Sequence, residues 1–145
     1  MKLSNVEDIE LARRLLEQEN LNLVVVKGGQ TLTTSNEEGI YPLFKAIASM
    51  GGCLHGAAVA DKIVGVAVAM LCLYAQIASV YADIASKEAV VVLREQGVTI
   101  TSKNMVFSLG FSKPYDLCPF EKLAQRCRQP SQLFSALQSF FAEGE

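Results

Sequence analysis

The chain has 145 residues, half of them hydrophobic and 19% charged, with 13 basic and 15 acidic side chains for a net charge of -2. That length suits one domain with a single core, and the composition excludes a disordered polymer. The absence of any basic excess argues against nucleic acid as the main partner.

The first element is a helix over 5–18, following Ser4. Val6, Ile9, Leu11, Leu15 and Leu16 share one face, and acids cluster in the first turn. LNLVVVKGGQTLTTS then reads as a hairpin, because a tight turn at Gly28-Gly29 needs positive φ. Pro42 opens a short helix, YPLFKAIASM, and Gly51-Gly52 closes it.

The apolar run that follows predicts a helix from about Ala60 to Ala75, buried nearly all round, and then a buried strand, IASVYADIA. Ser86 caps an amphipathic helix, SKEAVVVLREQG, closed by Gly97. VTITSK is a further strand, and MVFSLG a fifth, with Ser102-Lys103-Asn104 as the turn between them. DLCPFE looks like a helix start, with Pro119 in the first turn and Glu121 at the third position. A last helix spans 131–142. Strands alternating with helices predict an α/β fold, a three-layer α/β/α sandwich around a mixed sheet, in one domain over 1–145.

Ile63 to Ala82 carries no charge and is nearly long enough to span a bilayer. Gln76, Ser79 and two tyrosines interrupt it, and its pattern changes midway from helical to strand-like, so no membrane span is expected. The acids in MKLSNVEDIE and the lack of an apolar stretch there argue against a secretory signal. The expectation is a cytoplasmic protein with reduced thiols.

Composition also restricts the chemistry. There is one histidine, there are four cysteines, and tryptophan is absent. A site needing several histidines cannot form in one copy, and any Ser-His-Asp or Cys-His mechanism must use His55. Asp61 and Lys62 are placed by the predicted helix at its N-terminus. There Asp61 could act as base, nucleophile or ligand anchor, or simply as a helix-start acid, with Lys62 holding an anion. Cys118 before Pro119 is the second candidate, as a thiol activated at a helix start or as a plain buried cap. Ser86 and Lys87 are the third, a cap that also suits a phosphate. Cys53 and His55 could supply two metal ligands, but their spacing defines no site, so no metal and no cofactor are expected.

LNLVVVKGGQTL, GAAVADKIVGVAVAML, VYADIASKEAVVVL and LCPFEKL together resemble the family called domain of unknown function 1893, over about 21–123. That resemblance implies a cytidine-deaminase-like fold. Zinc deaminases carry His or Cys two residues before Glu at one helix start, and Pro-Cys-x-x-Cys at the next. Set against this chain, the first motif falls on Val59-Ala60-Asp61, and the second on Ala85 to Ala89 with Ser86 and Ala89 at the thiolate positions. The resemblance therefore implies a zinc-free domain without zinc-activated water. The expected role is binding of a small nucleotide or sugar-phosphate-like ligand around Asp61, Lys62, Ser86 and Lys87. The alternatives are a non-catalytic scaffold that binds a partner, and a thiol enzyme using Cys118 and His55. The apolar composition is also compatible with a homodimer.

Overall fold

The computed structural model describes residues 2–107 and 119–143. Its elements are α1 (Lys2–Gln18), β1 (Leu23–Lys27), β2 (Gln30–Ser35), α2 (Tyr41–Met50), a 3-10 turn (Gly51–Leu54), β3 (Ala58–Val64), α3 (Val66–Tyr74), β4 (Ser79–Ser86), α4 (Lys87–Glu95), β5 (Thr99–Val106), α5 (Pro119–Arg126) and α6 (Pro130–Glu143). The five strands form one sheet in the order β2-β1-β3-β4-β5. β1 is antiparallel to β2 and to β3, whereas β3, β4 and β5 are parallel. The α/β class and the mixed sheet thus agree with the sequence pattern.

Parallel strands laid side by side in one direction place their crossover helices on one face. Accordingly α3 and α4 share a core with α2, α5 and α6, built on Leu23, Val25, Val59, Val80, Ala82 and Ile100 of the sheet. Among the described residues the other face is covered by α1, through Ala12 and Leu16 against Val24, Val26, Ala60 and Tyr81. Alternation along the strands sorts these residues between the faces.

α1 also ties down the hairpin. The buried Asp8 carboxylate accepts the N–H groups of Gly28 and Gly29, both at 2.8 Å. Those glycines have φ of 60° and 78°, the left-handed values that the two-residue turn demands.

Two predicted elements differ from the structure. The helix expected from Ala60 is a strand as far as Val64, and α3 begins only after Gly65, which is extended. Alanine has little strand preference of its own. Here Ala58 and Ala60 are strand because β1 and β4 pair with that segment on both sides. The turn expected at Ser102-Lys103-Asn104 does not exist, and β5 runs unbroken to Val106, with Ser102 and Asn104 paired to Ala82 and Ile84 of β4 in one register. Those polar residues belong to an exposed strand, and none is a glycine that would supply a tight turn. The rest of the expected fifth strand, residues 108–110, lies outside the described residues.

The uncharged run from Ile63 to Ala82 divides among β3, α3 and β4. Among the described residues no helix is long and apolar enough to cross a membrane.

Candidate functional site

In sheets of this kind, helix N-termini gather at the carboxyl ends of the parallel strands, and ligands tend to bind there. Gly65 precedes α3, and Ser86 precedes α4. Both helix starts are capped from within the chain. The Ser86 hydroxyl accepts the N–H of Ala89 at 3.1 Å. At α3, where no local side chain caps, the carboxylate of Glu121 arrives from α5. Its two oxygens accept the N–H groups of Val66 at 3.0 Å and Ala67 at 2.7 Å. Glu121 is buried, and a carboxylate is well placed on two free N–H groups at the positive end of a helix. The sequence pattern assigns Glu121 only to the start of its own helix, α5. No local signal announces a bond to a helix 54 residues away.

Beside the start of α4 lies a hollow of about 430 Å³, lined by Lys87, Glu88, Val91, Val92 and Phe107. Lys87, one of its lining residues, is the first residue of α4.

Asp61 is elsewhere. It lies on β3 across from Leu23 and Ala82, not at a helix start. Its Oδ1 accepts the N–H of Ile63 at 3.2 Å. The residue is partly exposed, yet desolvation of the carboxyl pushes its pKa up to about 8 against the weaker pull of backbone N–H groups. Burial also raises the thiol of Cys72, and the Asp61 charge adds to that rise. Ser86 is four residues beyond Ala82, the partner of Asp61, so the two sites are separated by about 13 Å along the strands.

Lys62, the next residue on β3, donates to Asn20 Oδ1 at 3.0 Å, just past the end of α1. On this α1 face the Tyr81 hydroxyl lies 3.1 Å from Asp83 Oδ1 and 3.4 Å from Glu17 Oε2. Burial and these carboxylates raise the phenol to about 12. The structure therefore brings Ser86 and Lys87 together but leaves Asp61 and Lys62 apart from them.

His55 is at the opposite end of the fold, just before the amino end of β3. It lines a separate hollow of about 460 Å³ with Gly51, Gly52, Tyr74, Phe134 and Gln138. Cys118 lies outside the described residues.

The family model described as "Domain of unknown function (DUF1893)" matches residues 11–141. The chain belongs to this family. Among solved structures it is similar to the DUF1893 family protein TM1506 of Thermotoga maritima, at 26% identity and a TM-score of 0.79, covering 92% of this chain and 89% of that one. A dCMP deaminase from the cyanophage S-TIM5 matches at 16% identity and a TM-score of 0.45, over 70% of this chain and 96% of that one. No curated protein matches the chain.

The structure changes how the deaminase zinc motifs map onto this DUF1893 chain. The motif assigned to Val59-Ala60-Asp61 falls inside β3, so that alignment is corrected. The helix that follows β3 starts only after Gly65. Ser86, at the second motif, is the residue before α4. Among the described residues neither start carries an imidazole or a thiolate; Glu88 stands in the first turn of α4, and the Glu121 carboxylate at α3 is held by backbone N–H groups. Among the described residues no group of three His, Cys, Asp or Glu side chains could hold a metal.

Proposed function

We propose that this DUF1893 chain is a zinc-free binding domain that takes a nucleotide or sugar-phosphate-like small molecule beside the start of α4. The observation that carries the reading is the capping of both helix starts by the chain's own side chains. Glu121 occupies the N–H groups of α3, where a hydrolase of this kind needs its reactive groups free. The hollow at α4 supports the ligand class. Lys87 offers a charge to a phosphate, and Val91, Val92 and Phe107 offer apolar walls to a base or sugar face. A volume of about 430 Å³ lies within the range of small-molecule sites. Asp61 is too far along β3 to share this hollow, so Lys87 is the residue that meets the ligand.

Thermal shift against nucleotides, nucleotide sugars and sugar phosphates tests the reading. Wild type and Asp61→Ala are expected to gain stability from the same ligand, about 2.7 kcal/mol at a hundredfold excess over Kd. Lys87→Ala is expected to lose most of that gain. The absence of stabilisation by any of these compounds would refute ligand binding. Ammonia release from cytidine or dCMP in the presence of added zinc would refute the zinc-free reading.

A further inference from the structure

The hollow at the amino end of β3 holds the chain's single histidine and shares no lining residue with the hollow at α4. Its polar groups come from three elements. His55 follows the 3-10 turn, Tyr74 ends α3, and Gln138 lies on α6. Local geometry places each of them. Gly52 has no side chain, and the His55 imidazole packs over its backbone, with Cε1 3.9 Å from where a Cβ would stand. The Tyr74 ring stacks on Phe134, with 4.5 Å between centroids and 14° between planes. Gln138 is one helical turn beyond Phe134, on the same side of α6. Among the described residues the imidazole, the phenol hydroxyl and the carboxamide make no hydrogen bond within the chain. Each carries an acceptor: a ring nitrogen of the neutral imidazole, a hydroxyl oxygen, a carboxamide oxygen.

Charge decides what these acceptors take. No Lys, Arg, Asp or Glu lines the hollow among the described residues. Two helix carboxyl ends border it. Ile47 and Ala48 belong to the last turn of α2, and Tyr74 with its cap Ala75 closes α3. A helix carboxyl end carries about half a negative elementary charge, which a basic side chain in the last turn can offset. Neither helix has one there. Two negative ends at one hollow repel phosphates and carboxylates and favour a cation.

We propose that this hollow binds a small organic cation, a protonated primary amine carried on an apolar body. The ammonium group has three N–H donors, which match the acceptors of His55, Tyr74 and Gln138. The apolar body lies against Ile47, Ala75 and the Tyr74–Phe134 ring pair. A volume of about 460 Å³ suits a molecule of that kind. The site is independent of the one at α4, where Lys87 selects the opposite charge.

Isothermal titration calorimetry with phenethylammonium chloride, phenethyl alcohol and sodium phenylacetate tests this. The three probes share an aromatic body and differ in head group. Wild type is expected to bind the amine at least tenfold more tightly than the alcohol, and to show no binding of phenylacetate up to about 10 mM. Tyr74→Phe keeps the ring stacked on Phe134 and removes only the hydroxyl. Gln138→Leu keeps the size of the side chain and removes its acceptor, and His55→Ala removes the imidazole. All three residues are exposed, so each variant is expected to keep the wild-type urea midpoint. Each is expected to weaken amine binding about threefold to tenfold, the worth of one hydrogen bond. An alcohol bound as tightly as the amine would overturn the choice of a cation. An amine that does not bind, or one whose binding none of the three variants weakens, would overturn the site.

Discussion

Glu121→Ala is the sharpest test of how this fold holds together. Glu121 is 7% exposed, and its carboxylate is the partner of two backbone N–H groups at the start of α3, at 3.0 and 2.7 Å. Hydrogen bonds to a charged acceptor contribute about 1.5–3 kcal/mol each, and a buried N–H left without a partner costs about 1–3 kcal/mol. The helix start also loses a favourable charge, worth about 0.3–1 kcal/mol. Water entering the vacated space recovers part of this, leaving an expected loss of about 3–4 kcal/mol. α3 packs against α4, α5 and α6, so the loss should appear in global unfolding. Urea titration followed by circular dichroism reads it as a lower midpoint at unchanged slope. For a domain of this size the melting temperature should fall by about 10 °C. Glu121→Gln keeps one acceptor oxygen and should lose about half as much. A loss below about 1 kcal/mol for Glu121→Ala would show that the α3 start does not depend on this carboxylate.

The remaining predictions concern other single groups. Asp8→Ala strips the Gly28-Gly29 turn of its acceptor and should cost about 2 kcal/mol, read by the same urea titration. Asp61 has a folded pKa of about 8, raised from 3.8 by burial, so the folded state holds its proton more tightly than the unfolded one. Stability should therefore fall as pH rises from about 4 to about 8 and level off above that. A rise of that size corresponds to about 6 kcal/mol in full, and the residue's partial exposure reduces the expected change to about 2 kcal/mol. Asp61→Asn should flatten this slope, seen by comparing urea midpoints at about pH 5 and about pH 8.5. Iodoacetamide should label the exposed Cys53 quickly, whereas the buried Cys72 should label only on unfolding, as mass spectrometry of digests will show.

Much of the architecture is written in local pattern. Gly28-Gly29 marks the hairpin, Pro42 the start of α2, and Ser86 the cap of α4, because each meets a backbone requirement that few residues satisfy. The α/β class follows from the alternation of such segments. Local pattern misplaces the start of α3 for the opposite reason. AVADKIV is apolar enough for either element, and only pairing with β1 and β4 makes it a strand. That one shift moves Asp61 from a helix start to mid-strand, and with it the expected site.

The scarcity of histidine and the cap at Ser86 are legible in the chain alone, since composition and neighbouring residues suffice for them. The closing of α3 by Glu121 and of the hairpin turn by Asp8 belongs to the tertiary structure. Each carboxylate meets backbone N–H groups at least 20 residues away. Such a bond leaves no periodic trace, because its geometry exists only once the sheet has set its helices in place.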